Sequence, residues 1–393
     1  MDKVFRVELS GDDRRYCELD LPATDYELLD ALARLQLRPG DKPGWEFIEH
    51  TDFQFLHAHL TNECDLYQLN ALATRLGQMD SRDKIAFEGL FNMEVDKKYG
   101  PISISTMIDL AYSTDCCHVV EGITTDAQLG EFYAENDFMP ELNELPDSVF
   151  QLLDFDKLGE KMRFEDGGIL VGRGYVAQHA DLKQVYDTLT LVPKKPDYTF
   201  RLLIGRYPFE TNDQPDKLVP LELPATQDQM NAVLEKLGLP NWEGAVVTEF
   251  DGAISDLDID LYHMGGLDTL NELAMRVRQL DTDGRLSLYK AVLHAADCHD
   301  VDSAIQLADG IDEFVIDPEQ RTPEEVAQDE LRFTMGSDSA RLLEKHVDLF
   351  AYGTELLAIN NAVMTPYGPV RRRDGEMILT PEDVPAQGGM QMQ

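Results

Sequence analysis

The sequence predicts an α+β protein that is an elongated tandem duplication of one fold. Two observations lead to this prediction. The acidic stretch Glu18–Thr24 returns as Leu221–Thr226, about two hundred residues later. Other short matches then follow in the same order along both halves of the chain. One chance match would mean little, but an ordered series indicates that a whole fold was duplicated.

The ordered matches define the two copies. They are Phe5-Arg6 with Phe200-Arg201, Trp45-Glu46 with Trp242-Glu243, Leu69–Ala73 with Leu270–Ala274, Arg75 with Arg276, Asp80 with Asp281, Ile108–Ala111 with Ile305–Ala308, and Leu158-Gly159 with Tyr352-Gly353. A period this long indicates two domains rather than a solenoid. We therefore expect a first copy over 1–193, a Pro-rich join over 192–196, a second copy over 197–380 and a disordered tail over 381–393.

Each copy is expected to contain three parts, namely an N-terminal β-hairpin/α unit, a helical middle and a small α/β C-terminal unit. The hairpin strands are predicted at Val4–Leu9 with Tyr16–Leu21, and at Phe200–Ile204 with Leu218–Leu223. In both copies the sequence Leu-Pro-Ala-Thr follows, and a Glu or Gln three residues after the Thr predicts a capping box at the start of a helix. Thr125 and Thr322 are predicted to begin later helices in the same way.

A strand-rich segment is predicted after the first helix of each copy, over 45–60 and 242–262. In the second copy, Asp256, Asp258 and Asp260 alternate with apolar residues, which places the three carboxylates on the wet face of a strand.

Composition predicts a globular, soluble, cytoplasmic protein. The chain has 393 residues, of which 43% are hydrophobic, and it contains no apolar run long enough to cross a membrane. The N-terminus lacks a basic segment followed by an apolar one. The five cysteines are odd in number and unmatched between the copies, so we expect thiols rather than disulfides.

The net charge of −40 is the outstanding feature of the composition. Residues 1–200 contain 38 acids and 19 bases, and residues 201–393 contain 36 and 15, so the excess is nearly equal in the two copies. Residues 99–156, 237–275 and 291–320 contain no Lys or Arg at all. Charge of one sign opposes a compact fold by self-repulsion, and it excludes phosphate or nucleic acid as a direct partner of most of this surface. We expect no membrane partner.

No motif predicts catalysis, a cofactor or a metal. The Asp256-x-Asp258-x-Asp260 tract lacks the glycine and the bidentate glutamate of a calcium loop. His57, His59 and Cys64 suggest a metal site, but the second copy has no equivalent. A phosphate-binding loop with its lysine and a nucleophile elbow are both missing. The sequence therefore favours a protein that is not an enzyme.

Four uses of the acid are in competition, namely a solvated surface, adaptation to high salt, cation buffering and imitation of nucleic acid. A merely solvated surface does not explain the long base-free stretches. Adaptation to high salt conflicts with basic clusters such as Arg371–Arg373. Buffering requires loops with ligand geometry. Duplex DNA carries one charge per ~1.7 Å, so 40 charges correspond to ~68 Å of duplex, or about twenty base pairs.

The order of motifs resembles that of the ArdA antirestriction family. The residues that carry the resemblance are Gly44–Ile48 and Asp65–Leu72 in the first copy, and Leu267–Ala274 and Asp348–Gly353 in the second. The resemblance implies an elongated, acidic DNA mimic that binds type I restriction-modification enzymes without cofactor or catalysis. Family members resemble one copy, so this chain is expected to act as a monomeric pseudo-dimer or as a homodimer.

The predicted partner is thus the methyltransferase core of a type I restriction-modification enzyme, or a similar DNA-binding defence protein. The alternative is an acidic interaction protein for another basic partner, such as a nuclease, another defence complex or a nucleoid protein. The carboxylates expected to bind the partner all lie in the base-free stretches. They are Asp109, Asp115, Glu121, Asp126, Glu131, Glu135 and Asp137, then Asp256, Asp258 and Asp260, then Asp297, Asp300, Asp302, Asp309, Asp312, Glu313, Asp317 and Glu319.

Overall fold

The computed structural model describes residues 3–11, 15–50, 53–60, 64–97, 100–136, 138–139, 142, 146–150, 152–206, 217–254 and 266–380. Within these ranges the chain is a mixed α+β protein, as the sequence predicts, with four small antiparallel sheets of three strands each. Two predicted features fall outside them, namely the strand that carries Asp256, Asp258 and Asp260 and the disordered tail over 381–393.

The two sequence copies contain corresponding helices and strands. Those of the first copy are β1 (Phe5–Ser10), β2 (Tyr16–Leu21), α1 (Asp25–Arg34), β3 (Gly44–His50), α2 (Leu66–Leu76), α3 (Ser81–Lys97), α4 (Ile104–Ala111), β4 (Cys117–Glu121), α5 (Asp126–Glu135), α6 (Asp147–Phe150), α7 (Phe155–Asp166), β5 (Ile169–Val171) and β6 (Gly174–Gln178). Those of the second are β7 (Phe200–Arg206), β8 (Val219–Leu223), α8 (Gln227–Leu237), β9 (Ala245–Gly252), α9 (Leu267–Thr282), α10 (Leu286–Ala295), α11 (Val301–Asp309), β10 (Phe314–Ile316), α12 (Pro323–Met335), α13 (Ser337–Leu343), α14 (Leu349–Ile359), β11 (Val363–Thr365) and β12 (Gly368–Arg372).

The sheets of the two copies have the same topology. The N-terminal sheets have the strand orders β2-β1-β3 and β8-β7-β9, and the C-terminal sheets have the orders β4-β6-β5 and β10-β12-β11. The predicted hairpins are present, but each is joined on the other side of its first strand by a third strand from beyond the helix. Two predictions were wrong in detail. The strand-rich segment expected over 45–60 has its strand end at His50, and Gln54–Leu56 form a short 3-10 turn. Trp242 precedes its strand, in the short 3-10 turn Trp242–Gly244, whereas Trp45 lies within β3.

Within each copy, the Leu-Pro-Ala-Thr motif is hydrogen-bonded to the asparagine of the Leu-Asn motif on a later helix. In the first copy the side-chain oxygen of Asn70 accepts from the Ala23 amide at 2.7 Å, and its amide donates to the Ala23 carbonyl at 2.9 Å. Asn271 makes the same pair of bonds with Ala225, at 2.7 and 3.0 Å. The Thr that follows each Ala forms the predicted capping box with Glu27 or Gln229. The repeated segments therefore fix where a strand ends and a helix begins.

The chain forms two compact units. Unit 1 comprises Met1–Ala23 and Leu37–Pro193, and unit 2 comprises Thr24–Gln36 and Lys194–Gln393. The join lies at the Pro-rich segment, but helix α1, which the sequence assigns to the first copy, packs in unit 2. Tyr26 belongs to the unit 2 core, and its ring contacts Tyr198 edge-on with centroids 5.7 Å apart.

A charged network holds α1 in unit 2. The Asp30 carboxylate accepts hydrogen bonds from the Lys290 ammonium and, at 2.7 Å, from the Tyr367 hydroxyl. Its other oxygen lies 2.8 Å from Nε of Arg34, whose guanidinium also lies over the Tyr367 ring. Burial by itself raises the pKa of Asp30, but the charges of Lys290 and Arg34 outweigh it and hold that pKa below its ordinary value.

In the C-terminal part of each unit, two helices cross with their backbones in contact. In unit 1 the crossing pairs Gly130 of α5 with Gly159 of α7, and a Cβ on Gly159 would overlap the Asp126 carbonyl. In unit 2 a Cβ on Gly353 of α14 would overlap the carbonyl of Pro323 in α12. Glycine is therefore required at both crossings, which accounts for the Gly159 and Gly353 match in the sequence.

Candidate carboxylate surface

Two of the predicted partner-binding carboxylates in unit 1 are ion-paired with bases from distant parts of the chain. Asp115 binds the ammonium of Lys183 at 2.7 Å, and this bond lowers the pKa of the Asp115 carboxyl. Asp126 binds the guanidinium of Arg163 through two bonds of 2.8 and 3.1 Å. The stretch from 99 to 156 contains no base in sequence, but the fold brings bases to it from elsewhere.

Unit 2 neutralises its second base-free stretch in the same way. Asp309 receives two bonds from Arg276, at 2.7 and 3.1 Å, and these hold the pKa of Asp309 below its ordinary value. Asp312 lies 2.7 Å from Arg285, and Glu313 lies 3.1 Å from Arg372. Exposed pairs of this kind stabilise a fold by only about 0–1 kcal/mol each. Their main effect is to reduce the net charge that a partner meets.

Other predicted carboxylates bond to the backbone or to a histidine. Asp109 accepts from the amides of Val185 and Tyr186, at 2.7 and 2.8 Å, and Asp300 caps α11 through the Ser303 amide at 2.8 Å. The Asp317 side chain accepts from the Glu319 amide, and Asp297 lies 3.0 Å from Nε2 of His299. Burial raises the pKa of Asp300, but the bonds from Ser303 outweigh it and the pKa is lowered. Asp109 and Asp300 therefore have a structural function, which the charge pattern did not reveal.

The remaining predicted carboxylates are open to solvent. Within the described ranges, these five side chains are exposed and have no Lys or Arg within salt-bridge distance: Glu121, Glu131, Glu135, Asp302 and Glu319. Glu131 and Glu135 are four residues apart on α5, so they lie on one face of that helix. Asp137 falls outside the described residues, as do Asp256, Asp258 and Asp260.

A further set of exposed carboxylates was not predicted from the sequence. Glu8 on the central strand β1 lies directly opposite Glu18 on β2 and Glu46 on β3. All three are exposed, because the alternate residues Val7 and Leu9 point into the core and are fully buried. Arg6 bonds to Glu18 at 3.0 Å through Nε, while Glu8 and Glu46 have no basic partner in the part of the chain that the structure describes. We call Glu18, Glu8 and Glu46 the carboxylate row.

The carboxylate row is a fixed array of like charges. Neighbouring strands lie about 4.8 Å apart, so the row carries roughly one charge per 5 Å across the sheet. A single DNA strand carries one per 3.4 Å of its axis, which is a comparable density. Like charges directly opposite each other destabilise a sheet, so the fold loses stability by keeping them together. The alternation of apolar and polar residues predicts that each of these side chains is exposed. It does not predict the strand register that places the three carboxylates side by side.

The basic triplet near the C-terminus is largely used within unit 2. Arg372 binds Asp374 and Glu313, and its bonds hold the pKa of Asp374 at about 2. Arg373 donates to the Asp312 carbonyl at 3.0 Å, and Arg371 is exposed beside a cleft. The triplet thus belongs to the charge pairing of the acidic stretch before β10.

Among the described residues, no group of three or more His, Cys, Asp or Glu side chains converges as a metal site. Nor does any helix in the described ranges have the length and apolarity needed to cross a membrane. Neither the family models nor the curated proteins with which the chain was compared match it.

Proposed function

We propose that this protein is a DNA mimic of the ArdA type, which inhibits a type I restriction-modification enzyme by occupying its DNA-binding groove. The partner surface would be the methyltransferase core, which must be basic to hold duplex DNA. Binding would need no cofactor and no catalysis, because a mimic acts by occupancy alone.

The observation that carries the proposal is the carboxylate row. Glu8 and Glu46 are held on a rigid sheet, face solvent and have no base in reach among the described residues. Opposed like charges cost stability, so a cationic partner would relieve a repulsion that the free protein has to bear. The open carboxylates of α5, Glu131 and Glu135, extend the same property to a second rigid element of unit 1.

The ion pairs change how the charge should be distributed over the surface. Asp126 and Asp309 are each bound by an arginine through two bonds, so we expect them to contribute less to partner binding than Glu8 or Glu131. No single carboxylate should be essential, because the interaction is spread over many of them. Loss of all binding from one Asp→Asn change would instead indicate a specific site.

The test is competition with DNA on a purified type I methyltransferase core. A labelled duplex of about twenty base pairs, the length that matches the formal charge, is bound to the core and displaced by the protein. We expect displacement at low salt that weakens steeply as salt rises. Failure to displace the duplex at low salt would refute the proposal. Displacement from an unrelated nuclease or a nucleoid protein, but not from the core, would favour the alternative of a more general acidic interaction protein.

Matched variants show whether the carboxylate row takes part. Glu8→Gln with Glu46→Gln removes two open charges from unit 1 and should weaken displacement several-fold. The control is Glu272→Gln, which removes a carboxylate that already lies 2.8 Å from Arg276. The control should stay within about twofold of the unmodified protein, since its charge is locally compensated.

A further inference from the structure

The C-terminal parts of the two units can be compared position by position. Each consists of a three-stranded sheet covered by two crossing helices, α5 with α7 in unit 1 and α12 with α14 in unit 2. The first helix of each pair is capped by a threonine, Thr125 or Thr322, and the second by an aspartate, Asp154 or Asp348. The central strands begin at Gly174 and Gly368. Tyr175 of unit 1 therefore corresponds to Pro369 of unit 2.

In unit 1 a tyrosine fills the space between the helices and the sheet. Tyr175 is only 2% exposed, and its hydroxyl donates to Asp166 at 3.1 Å. Tyr133 donates to the same carboxylate. The ring needs glycine at position 168, because a Cβ there would overlap the Tyr175 hydroxyl. Tyr175 therefore occupies a space that fits one aromatic ring and provides a hydrogen-bond acceptor for its hydroxyl.

In unit 2 the corresponding position holds a proline instead of an aromatic ring, and the place forms a cleft of about 430 Å³. Pro369 replaces Tyr175, Glu330 replaces Tyr133, Asn360 replaces Asp166 and Ala362 replaces Gly168. Each of these four residues lines the cleft. The apolar walls remain, and they include Leu356. Unit 2 has therefore kept the space and lost the side chain that would fill it.

The rim of the cleft is acidic. Asp317, Asp329 and Glu330 line it, and Arg371 is the basic residue among its lining side chains. Asp329 lies 3.3 Å from the guanidinium of Arg332, so Asp317 and Glu330 supply the unpaired charge. Glu330 replaces a tyrosine of the other copy, so the carboxylate lies where unit 1 has an aromatic ring. A cationic group next to an aromatic one complements this arrangement, since the ring matches the walls and the cation matches the rim. A second copy of this chain, at a net charge of −40, is a poor occupant.

We infer that the cleft of unit 2 is a docking site for a tyrosine side chain flanked by Lys or Arg in a partner polypeptide. The ring takes the place that Tyr175 holds in unit 1. The side-chain oxygen of Asn360 takes the place of Asp166 and accepts from the hydroxyl, while the Asn360 side-chain nitrogen donates to the Leu356 carbonyl at 2.8 Å. The flanking cations bind Glu330 and Asp317, which have no Lys or Arg within salt-bridge distance among the described residues. This site is separate from the carboxylate row, and it does not depend on the proposed mimicry of DNA.

The probe is the capped peptide acetyl-Gly-Lys-Tyr-Arg-Gly-amide, added to the full chain and followed by NMR or calorimetry up to about 5 mM, the range of weak affinity. The same peptide with alanine in place of tyrosine, and one with glutamate in place of both bases, are the ligand controls. We expect each change to weaken binding at least tenfold. Equal binding of the three peptides, or no binding of the tyrosine peptide, would overturn the inference.

The protein variant that tests the place of binding is Pro369→Tyr with Ala362→Gly, which rebuilds the filling of unit 1. It should lower the affinity for the tyrosine peptide at least tenfold. Its fold is checked by circular dichroism and thermal unfolding. The matched control is Leu342→Ser, at a side chain that is 73% exposed on α13 and outside the cleft lining.

A second variant keeps the test decisive if the filled one misfolds. Glu330→Gln leaves the walls intact and should weaken only the peptide with bases. Unchanged affinity of the tyrosine peptide for Glu330→Gln, or for a folded filled variant, would place the peptide elsewhere and refute the assignment.

Discussion

Replacing Asp30 by asparagine should loosen helix α1 from unit 2. The side chains of Asp30 and Lys290 are only 14% and 13% exposed, and the Asp30 carboxylate also binds Tyr367 and Arg34. Breaking a buried ion pair by removing one partner costs about 3–5 kcal/mol. The asparagine side-chain oxygen still accepts one hydrogen bond, so we expect the free energy of unfolding to fall by the lower end of this range, about 3 kcal/mol. Lys290→Met should cost about 2 kcal/mol, because Arg34 continues to balance Asp30.

The stabilisation by Asp30 should depend on pH in the acid range. The pKa of Asp30 is lower in the folded chain than in the unfolded one, so the unfolded chain takes up the proton more readily. The contribution is therefore complete above the ordinary carboxyl pKa of about 4 and is lost as pH falls towards the folded value. Asp30→Asn should remove this part of the acid sensitivity.

Urea unfolding can report on unit 2 alone, because the chain has two tryptophans and one lies in each unit. In a Trp45→Phe background the remaining fluorescence comes from Trp242, which packs against the unit 2 core. A double-mutant cycle of Asp30→Asn and Lys290→Met then isolates the pair. If Lys290→Met lowered the free energy of unfolding as much in the Asp30→Asn background as in its absence, the two side chains would not be coupled and the pair would not hold α1.

Three further predictions concern packing, thiols and the carboxylate row. Gly159→Ala should lower the free energy of unfolding of unit 1 by about 2 kcal/mol or more through overpacking, whereas Gly172→Ala, with no atom within 4 Å of its Cβ, should cost far less in thermal unfolding. Burial raises the pKa of Cys64 to about 12 and that of Cys298 to about 11, so Ellman's reagent at pH 8 should modify both only after unfolding. Glu8→Lys should stabilise unit 1 by roughly 0.5 kcal/mol while weakening duplex displacement; a loss of stability would contradict the repulsion argument.

The local parts of this fold could be predicted well from sequence. Helix starts depend on residues three positions apart, so the capping boxes at Thr24, Thr125 and Thr226 were predicted correctly. The hairpins were also predictable, because apolar and polar residues alternate with a period of two. The α+β class followed from these elements and from their repetition.

Contacts between distant residues could not be predicted in the same way. The base-free stretches suggested open charge, yet Lys183, Arg163 and Arg276 reach them from other elements. The carboxylate row depends on the register between β1 and β3, which are separated by a helix. A net charge counts every carboxylate in the sequence, whereas a partner binds mainly the carboxylates that have no basic partner within the fold.

The placement of α1 has a consequence for how the chain is made. Asp30 emerges from the ribosome early, but its partners Lys290 and Tyr367 follow 260 and 337 residues later. Helix α1 cannot complete this charged network until residue 367 has been synthesised, because the last of the partners of Asp30 does not exist before then. A product that ends before Tyr367 would leave the Asp30 carboxylate without the hydrogen bond from the Tyr367 hydroxyl. A clone of residues 194–393 would therefore lack Tyr26, which belongs to the unit 2 core, and the Asp30 carboxylate that binds Lys290 and Tyr367.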